Sequence, residues 1–458
     1  MHDNKQEQYQ GLRKTYPTFI YESYHVADDG FSLWLDFHFS IPGLADFSPR
    51  WEINKPMGRD VDIHDTQLQA LAFSLGMVEL ISYWKLCCPP DVQVSCAVLN
   101  AKQIGWWQTL YRWGLGEFFY LNGIEPDADF VHISAPEAGN SARTDAGQVP
   151  AADKILIPIG GGKDSAVTLE LLKPCADRYC YMINPTKAQL ETARVGGIPE
   201  EQLIIARRSL DERMLSLNKQ GFLNGHTPFS ALVAFSSVLS AYVHGIGHVA
   251  LSNEASANEA TIPDTQINHQ YSKSLAFESD FIAYEARHIG SGVRYFSFLR
   301  PLNELAIAGI FARFPQYHDI FLSCNVGSKA GHWCGHCPKC LFVYIILAPF
   351  LSADKLSDIF GRHLLDDVTL LPLLEKLAGR VPEKPFECVG SVDEVRAALA
   401  EILRQHEAAQ HPLPVLLAAY KEWRLVAGGD FAQMCRHFDE NHHVPERFVA
   451  ALKESQRK

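Results

Sequence analysis

The chain has 458 residues, room for two to four domains, and its 47% hydrophobic and 21% charged residues are those of a packed globular protein. No apolar run reaches the roughly 18 residues of a membrane helix, and the polar start Met1-His2-Asp3-Asn4-Lys5 has no signal-peptide core, so no membrane partner and a cytoplasmic location are expected. A net charge of −12 with no basic patch beyond Arg207-Arg208 and the interrupted tail Lys453 to Lys458 argues against a nucleic-acid partner.

Residues 1–150 read as an N-terminal α+β domain. Phe31, Leu33, Leu35 and Phe37 alternate with Ser32, Trp34, Asp36 and His38, the pattern of a strand with one wetter face. Asp65 is placed to cap a helix carrying Leu68, Leu71, Ala72, Leu75 and Val78. Trp106, Trp107, Tyr111, Trp113, Phe118, Phe119 and Tyr120 follow, as a core contact or a platform for a nucleotide or sugar. Residues 136–153, with Val149 as the single large apolar residue, read as a linker or long loop.

From Lys154 the pattern changes. Strands are expected at Lys154 to Ile159, Tyr179 to Ile183, Leu203 to Ala206 and His248 to Leu251, with helices after Ser165 and over Pro228 to Val243. This alternation gives an α/β fold class, a doubly wound parallel sheet covered on both faces, over 151–345. Residues 346–458 read as a C-terminal helical region, with helices over Ser391 to Gln405 and Leu413 to Trp423.

The segment Gly160-Gly161-Gly162-Lys163-Asp164-Ser165 lies between the first of these strands and its helix. Glycines let backbone N–H groups approach phosphate oxygens, and a helix N-terminus favours an anion. Lys163 can add charge, Asp164 can hold Mg²⁺, and Ser165 can donate a hydroxyl hydrogen bond. The spacing is not that of a Walker A loop. It resembles the S-G-G-x-D-S loop of the PP-loop ATP pyrophosphatase superfamily, with Gly160 in place of the first serine. That resemblance implies ATP cleavage to AMP and pyrophosphate, with adenine near Met182 to Asn184.

Cys324, Cys334, Cys337 and Cys340 have the spacing C-x9-C-x2-C-x2-C, which suits a closed structural zinc site; an iron–sulfur centre is the alternative. His332 and His336 lie inside the cluster and are surplus to a four-cysteine tetrahedron. A phosphate loop early and such a knot late resemble QueC-type enzymes, which activate a carboxylate with ATP.

Three polar segments fall where a doubly wound sheet presents its ligand-binding edge. They are Asn224-Gly225-His226-Thr227-Pro228, Ser252 to Glu259 (SNEASANE), and Asn268 to Ser274 (NHQYSKS), with Glu278 soon after. His226, Thr227, Asn253, Ser256, Asn258 and Tyr271 are the candidate substrate contacts. Together, the GGGKDS loop, these segments and the WCGHCPKC knot resemble the UDP-N-acetylmuramoyl-L-alanyl-L-glutamate epimerases (MurL). The resemblance implies inversion of the terminal L-glutamate of a UDP-MurNAc-dipeptide with ATP and Mg²⁺, in peptidoglycan precursor synthesis, and functional pairing with a MurD-type ligase. The base and acid stay open among His269, Lys273, Glu254 and Glu278. Lys273, Arg287 and Arg300 are alternatives for binding a phosphate or carboxylate, and the aromatic N-terminal stretch for binding the UDP-sugar. Two rival readings are a QueC-like or tRNA-modifying enzyme acting on a nucleobase, and a non-catalytic zinc-stabilised binding module with a vestigial loop. Cys175 and Cys180 give little support to a two-cysteine racemase.

Overall fold

The computed structural model of the protein describes residues 5–56, 58–136, 151–258, 271–382, 384–385, 387, 389–426 and 428–457. The chain forms two compact units, each discontinuous in sequence. Unit 1 is Met1–Leu156, Ile204–Val249 and Ile267–Tyr295; unit 2 is Ile157–Leu203, Ala250–Gln266 and Phe296–Lys458. The units therefore cut across the linear ranges read from the sequence.

In unit 1, β1 (Thr18–Asp28), β2 (Ser32–Ile41), β3 (Ala45–Phe47) and β4 (Arg50–Asn54) form an antiparallel meander with β2 at its centre. β5 (Asp91–Val94) adds to β1 in parallel, and β6 (His132–Ser134) adds to β5. β4 pairs antiparallel with β9 (Leu203–Ser209) through Arg50 to Ile53. Leu33, Leu35, Phe37 and Phe39 of β2 are buried, as the alternation predicts. Phe31 is 76% exposed, because the Asp29 carboxylate accepts the Phe31 and Ser32 N–H groups and turns the chain before the strand begins.

Asp65 does cap a helix, Thr66–Trp84, accepting the Leu68 N–H at 2.8 Å. This helix is buried on nearly every face and packs against the equally apolar helix Phe229–His244. An apolar helix needs cover all round, which explains why residues 204–249 join the N-terminal segment. At Gly76 the helix passes so close to β1 that a Cβ would lie 1.9 Å from the Tyr21 hydroxyl oxygen.

Residues 137–150 of the expected linker lie outside the described residues. Ala151 to Asp153, expected in the linker, already belong to β7 (Ala151–Pro158). β7 pairs in parallel with β10 (Ile246–Leu251), and Gly247 lets the strands meet there, since its Cβ would stand 2.5 Å from the Ala151 carbonyl oxygen. All of β10 is buried, as in a strand covered on both faces.

In unit 2, the end of β7 leads through the glycine loop into helix Lys163–Leu172 and then β8 (Asp177–Ile183). Helices Glu304–Ala312 and Glu446–Ser455 pack on Lys163–Leu172, and Pro338–Leu347 and Val392–Ala408 pack on Glu304–Ala312. β11 (Arg294–Ser297) leads into Phe298, whose N–H meets the Leu251 carbonyl at 2.7 Å. The molecule is thus a mixed α/β protein with a helical C-terminal region. Among the described residues, no helix is long and apolar enough to cross a membrane.

Candidate active site

The glycine loop is tied on three sides within unit 2. Ile159 donates its N–H to the Tyr181 carbonyl at 2.9 Å and accepts the Gln189 amide at 2.7 Å. Gly161 has φ +82°, which favours glycine, and its carbonyl accepts the Leu322 N–H at 2.8 Å. Gly162 caps the helix, with Ser323 3.2 Å from where a Cβ would stand. Nothing lies within 4 Å of a Cβ on Gly160, so there is room for a serine there. Ser165 donates its hydroxyl back to the Gly162 carbonyl at 3.1 Å.

Lys163, expected to add positive charge at the loop, has a side chain 3% exposed, and its ammonium bonds to the carboxylates of Asp164 and Glu304. Those carboxylates outweigh the burial and hold the lysine in its charged form. Glu304 is itself buried; burial, with Asp164 and Glu254 nearby, pushes its carboxyl up, and the pull of Lys163 and Lys339 opposes that. Asp164, at 28% side-chain exposure, is the member of this group that meets solvent.

The SNEASANE segment joins the same neighbourhood. Asn253 donates to the Ser297 hydroxyl at 3.1 Å, and the Glu254 carbonyl accepts from Arg300 at 2.6 Å. Arg300 is fully buried. Ser256 donates to the Glu394 carboxylate at 2.8 Å, which also takes the Glu304 N–H at 2.7 Å and the Ser391 N–H at 2.6 Å. Asn258 closes the 3-10 turn Ala255–Asn258, and Asn184 follows β8 with φ +44°. Sequence reading missed Glu304, Lys339 and Glu394. The local sign of Glu394 was the box Ser391-x-x-Glu394; Glu304 after Asn303 showed a helix start and no more.

His226, Thr227, Tyr271, Lys273, Glu278 and Arg287 belong to unit 1. His226 Nδ1 stands 3.1 Å from the Glu117 carboxylate, in a turn held by Lys85 bonding the Gly225 carbonyl. The Thr227 carbonyl accepts the Phe229 N–H at 2.6 Å. Tyr271 and Lys273 form a 3-10 turn, the Tyr271 ring meeting Phe277 edge-on, and Glu278 is buried in the first turn of helix Leu275–Tyr284. Arg287 is exposed in the π-helical turn Glu285–Ile289, and His269 lies outside the described residues. Trp107 is buried and stacks on Phe235 at 5.4 Å, while Trp106 packs on Tyr284 at 4.5 Å. Core packing accounts for Trp107, while Trp106 is half-buried. Burial pushes the Cys175 thiol up and that of Cys180 up to about 12, so neither is activated.

Cys324, Cys334, Cys337 and Cys340 gather with all sulfurs within 4.8 Å of one another, a group that can hold one metal ion. The Gly327 N–H points at the Cys324 sulfur at 3.1 Å and the Gly335 N–H at the Cys340 sulfur at 3.4 Å. His336 turns to the Cys334 carbonyl at 2.8 Å, and neither it nor His332 is in the cluster.

Residues 11–298 match the model of the MurL N-terminal domain and residues 320–424 that of the MurL C-terminal domain. The chain belongs to the MurL family. In this MurL chain the glycine loop and the SNEASANE segment fall in the first match and the cysteine knot and Glu394 in the second, while Glu304 lies between them. A relative from Xanthomonas oryzae pv. oryzae, named UDP-N-acetyl-alpha-D-muramoyl-L-alanyl-L-glutamate epimerase, is 38% identical over 75% of this chain and 76% of its own. A Micromonospora protein of the same name is 33% identical over 82% of this chain and 84% of its own. No solved structure matches the chain.

Proposed function

We propose that this MurL chain inverts the terminal L-glutamate of UDP-MurNAc-L-Ala-L-Glu, activating its carboxylate with ATP and Mg²⁺. Family membership carries the epimerase reading. The nucleotide reading rests on the loop, where three glycines open a helix and place the partly exposed Asp164 carboxylate at its first turn.

The chemistry explains why ATP is needed. A carboxylate resists loss of its α-proton, because the carbanion would add charge to an anion. Attack of the carboxylate oxygen on the α-phosphorus releases pyrophosphate and leaves an acyl adenylate, whose carbonyl no longer carries the carboxylate charge. Its α-proton is acidic enough for a side-chain base; reprotonation from the other face inverts the centre, and hydrolysis returns the carboxylate and AMP. Mg²⁺ supplies charge neutralisation on the phosphates, with Asp164 as its protein oxygen. Asn184 falls on the adenine side in this reading, and Asn253, Ser256, Asn258, His226, Thr227 and Tyr271 are assigned to substrate. Glu254, Lys273, Glu278 and His269 remain the candidates for acid and base.

The cysteine knot is assigned one structural zinc. Three of its sulfur pairs are 3.5, 3.7 and 3.9 Å apart. A tetrahedron with Zn–S near 2.3 Å has edges of about 3.8 Å. Four thiolates close the coordination sphere, so its part is in folding.

The test is run in D₂O with the full chain, ATP, Mg²⁺ and UDP-MurNAc-L-Ala-L-Glu. Deuterium at the glutamate α-carbon together with AMP and pyrophosphate is the expected result. Exchange without AMP would remove the adenylation step, and neither signal from folded, zinc-loaded protein would sink the epimerase reading.

A further inference from the structure

Glu304 sits at the first position of its helix with no role yet assigned. Its side chain and that of Lys163 are each 3% exposed, and they bond to each other. The Lys163 ammonium has three donors; one goes to Glu304 and one to Asp164. Glu304, Lys163 and Asp164 therefore form a chain that runs from the interior of unit 2 to solvent at Asp164.

The inner end of this chain is locked. The Glu304 N–H is held by Glu394, whose carboxylate also takes Ser256 and Ser391. Asn303 caps the helix by accepting the Ala306 N–H at 2.9 Å. Gly390 closes the wall, since a Cβ there would lie 3.1 Å from Glu304 Cγ and 2.7 Å from a Glu394 oxygen. A helix start fixed from behind in this way holds the root of the Glu304 side chain and so gives its partner Lys163 a defined direction. The hard oxygens of Asp164 beside a glycine loop suit a divalent cation on a polyphosphate.

We propose that Glu304 is a positioning residue of the phosphate loop, which acts through the Lys163 ammonium to set the Asp164 carboxylate for a divalent cation on a bound nucleoside triphosphate. The proposal rests on the nucleotide reading above.

The probe is Mn²⁺ with a non-hydrolysable ATP analogue, titrated into the full-length protein and followed by electron paramagnetic resonance, so no turnover is needed. Glu304→Gln should weaken Mn²⁺ binding about tenfold or more, with Glu304→Asp partly restoring it. Lys163→Met should weaken it as well. Because the residues act in series, the double variant should bind no more weakly than the weaker single one. The double variant also removes the buried pair as a whole, so it keeps the test open if Glu304→Gln misfolds. A double variant that binds Mn²⁺ like the wild type would make the pair a fold strut and overturn the proposal, as would additive losses. If the wild type binds no Mn²⁺–nucleotide, the nucleotide reading fails and this proposal with it. If wild type and variants bind alike, only the role of Glu304 fails.

Discussion

Two buried ion pairs in this protein are built on opposite plans. In unit 1, Arg208 of β9 meets Glu79 with two bonds of 2.8 Å, Trp51 donates to the same carboxylate, and Arg208 donates to the Ser82 hydroxyl. One cation faces one anion. In unit 2, Lys163 is shared by Asp164 and Glu304, with Glu254 and Lys339 also in the field of Glu304. Asp164 keeps a quarter of its side chain in solvent. A pair that closes on itself ties a strand to a helix. A group that ends on a partly solvated carboxylate has somewhere to receive a ligand cation.

The comparison breaks most visibly if Glu79 is removed. Glu79→Ala strands the Arg208 guanidinium and should cost about 3–5 kcal/mol in chemical denaturation. Nucleotide affinity of the folded protein should be unchanged; a drop there would blur the distinction between the pairs. A third kind of buried charge sharpens it. Burial, with Arg59 and Lys154 nearby, holds His244 at about 4, below its ordinary 6.5. The unfolded chain takes up this proton near 6.5 and the native state near 4, so the stability is present above pH 6.5 and lost as pH falls towards 4. The loss is on the order of 3 kcal/mol. His244→Asn should flatten that part of the stability–pH curve, and an unchanged slope would show that the imidazole does not carry it. Asp164→Asn should lower kcat/KM about 100-fold, near 2.7 kcal/mol, with little change in stability. A stability loss equal to the activity loss would make this pair structural too. The smallest effect belongs to Gly160→Ser, which has space for its hydroxymethyl group and should shift stability by no more than about 0.5 kcal/mol. Destabilisation beyond that, read from the unfolding midpoint, would mean the loop is tighter than its open face suggests.

What was legible in the sequence was local. Asp65 and Ser391 announced their helices by type and spacing, as did the cysteines their cluster. The loop read correctly as strand, glycines, helix. The partner of Lys163 was hidden because Glu304 lies 141 residues on, and no local pattern records such a contact. The Glu394 bond to the Glu304 N–H spans 90 residues and was hidden for the same reason. The aromatic run at Trp106 was ambiguous, since a ring that packs and a ring that stacks on a ligand look alike in sequence. The linker was drawn too long at its end, because Ala151 pairs by its backbone, which composition does not report.

The interleaving of the two units also has a meaning in time. At about 5–20 residues per second on the ribosome, Glu304 follows Lys163 by roughly 7 to 28 s. Until then the lysine has no carboxylate in the interior to receive it, and Glu394 follows later still. A nascent chain stopped before Ser391 therefore carries the whole glycine loop, yet lacks the groups that lock it from behind. Glu394 is made 90 residues after Glu304, so a shorter nascent chain carries the glycine loop without its full set of partners.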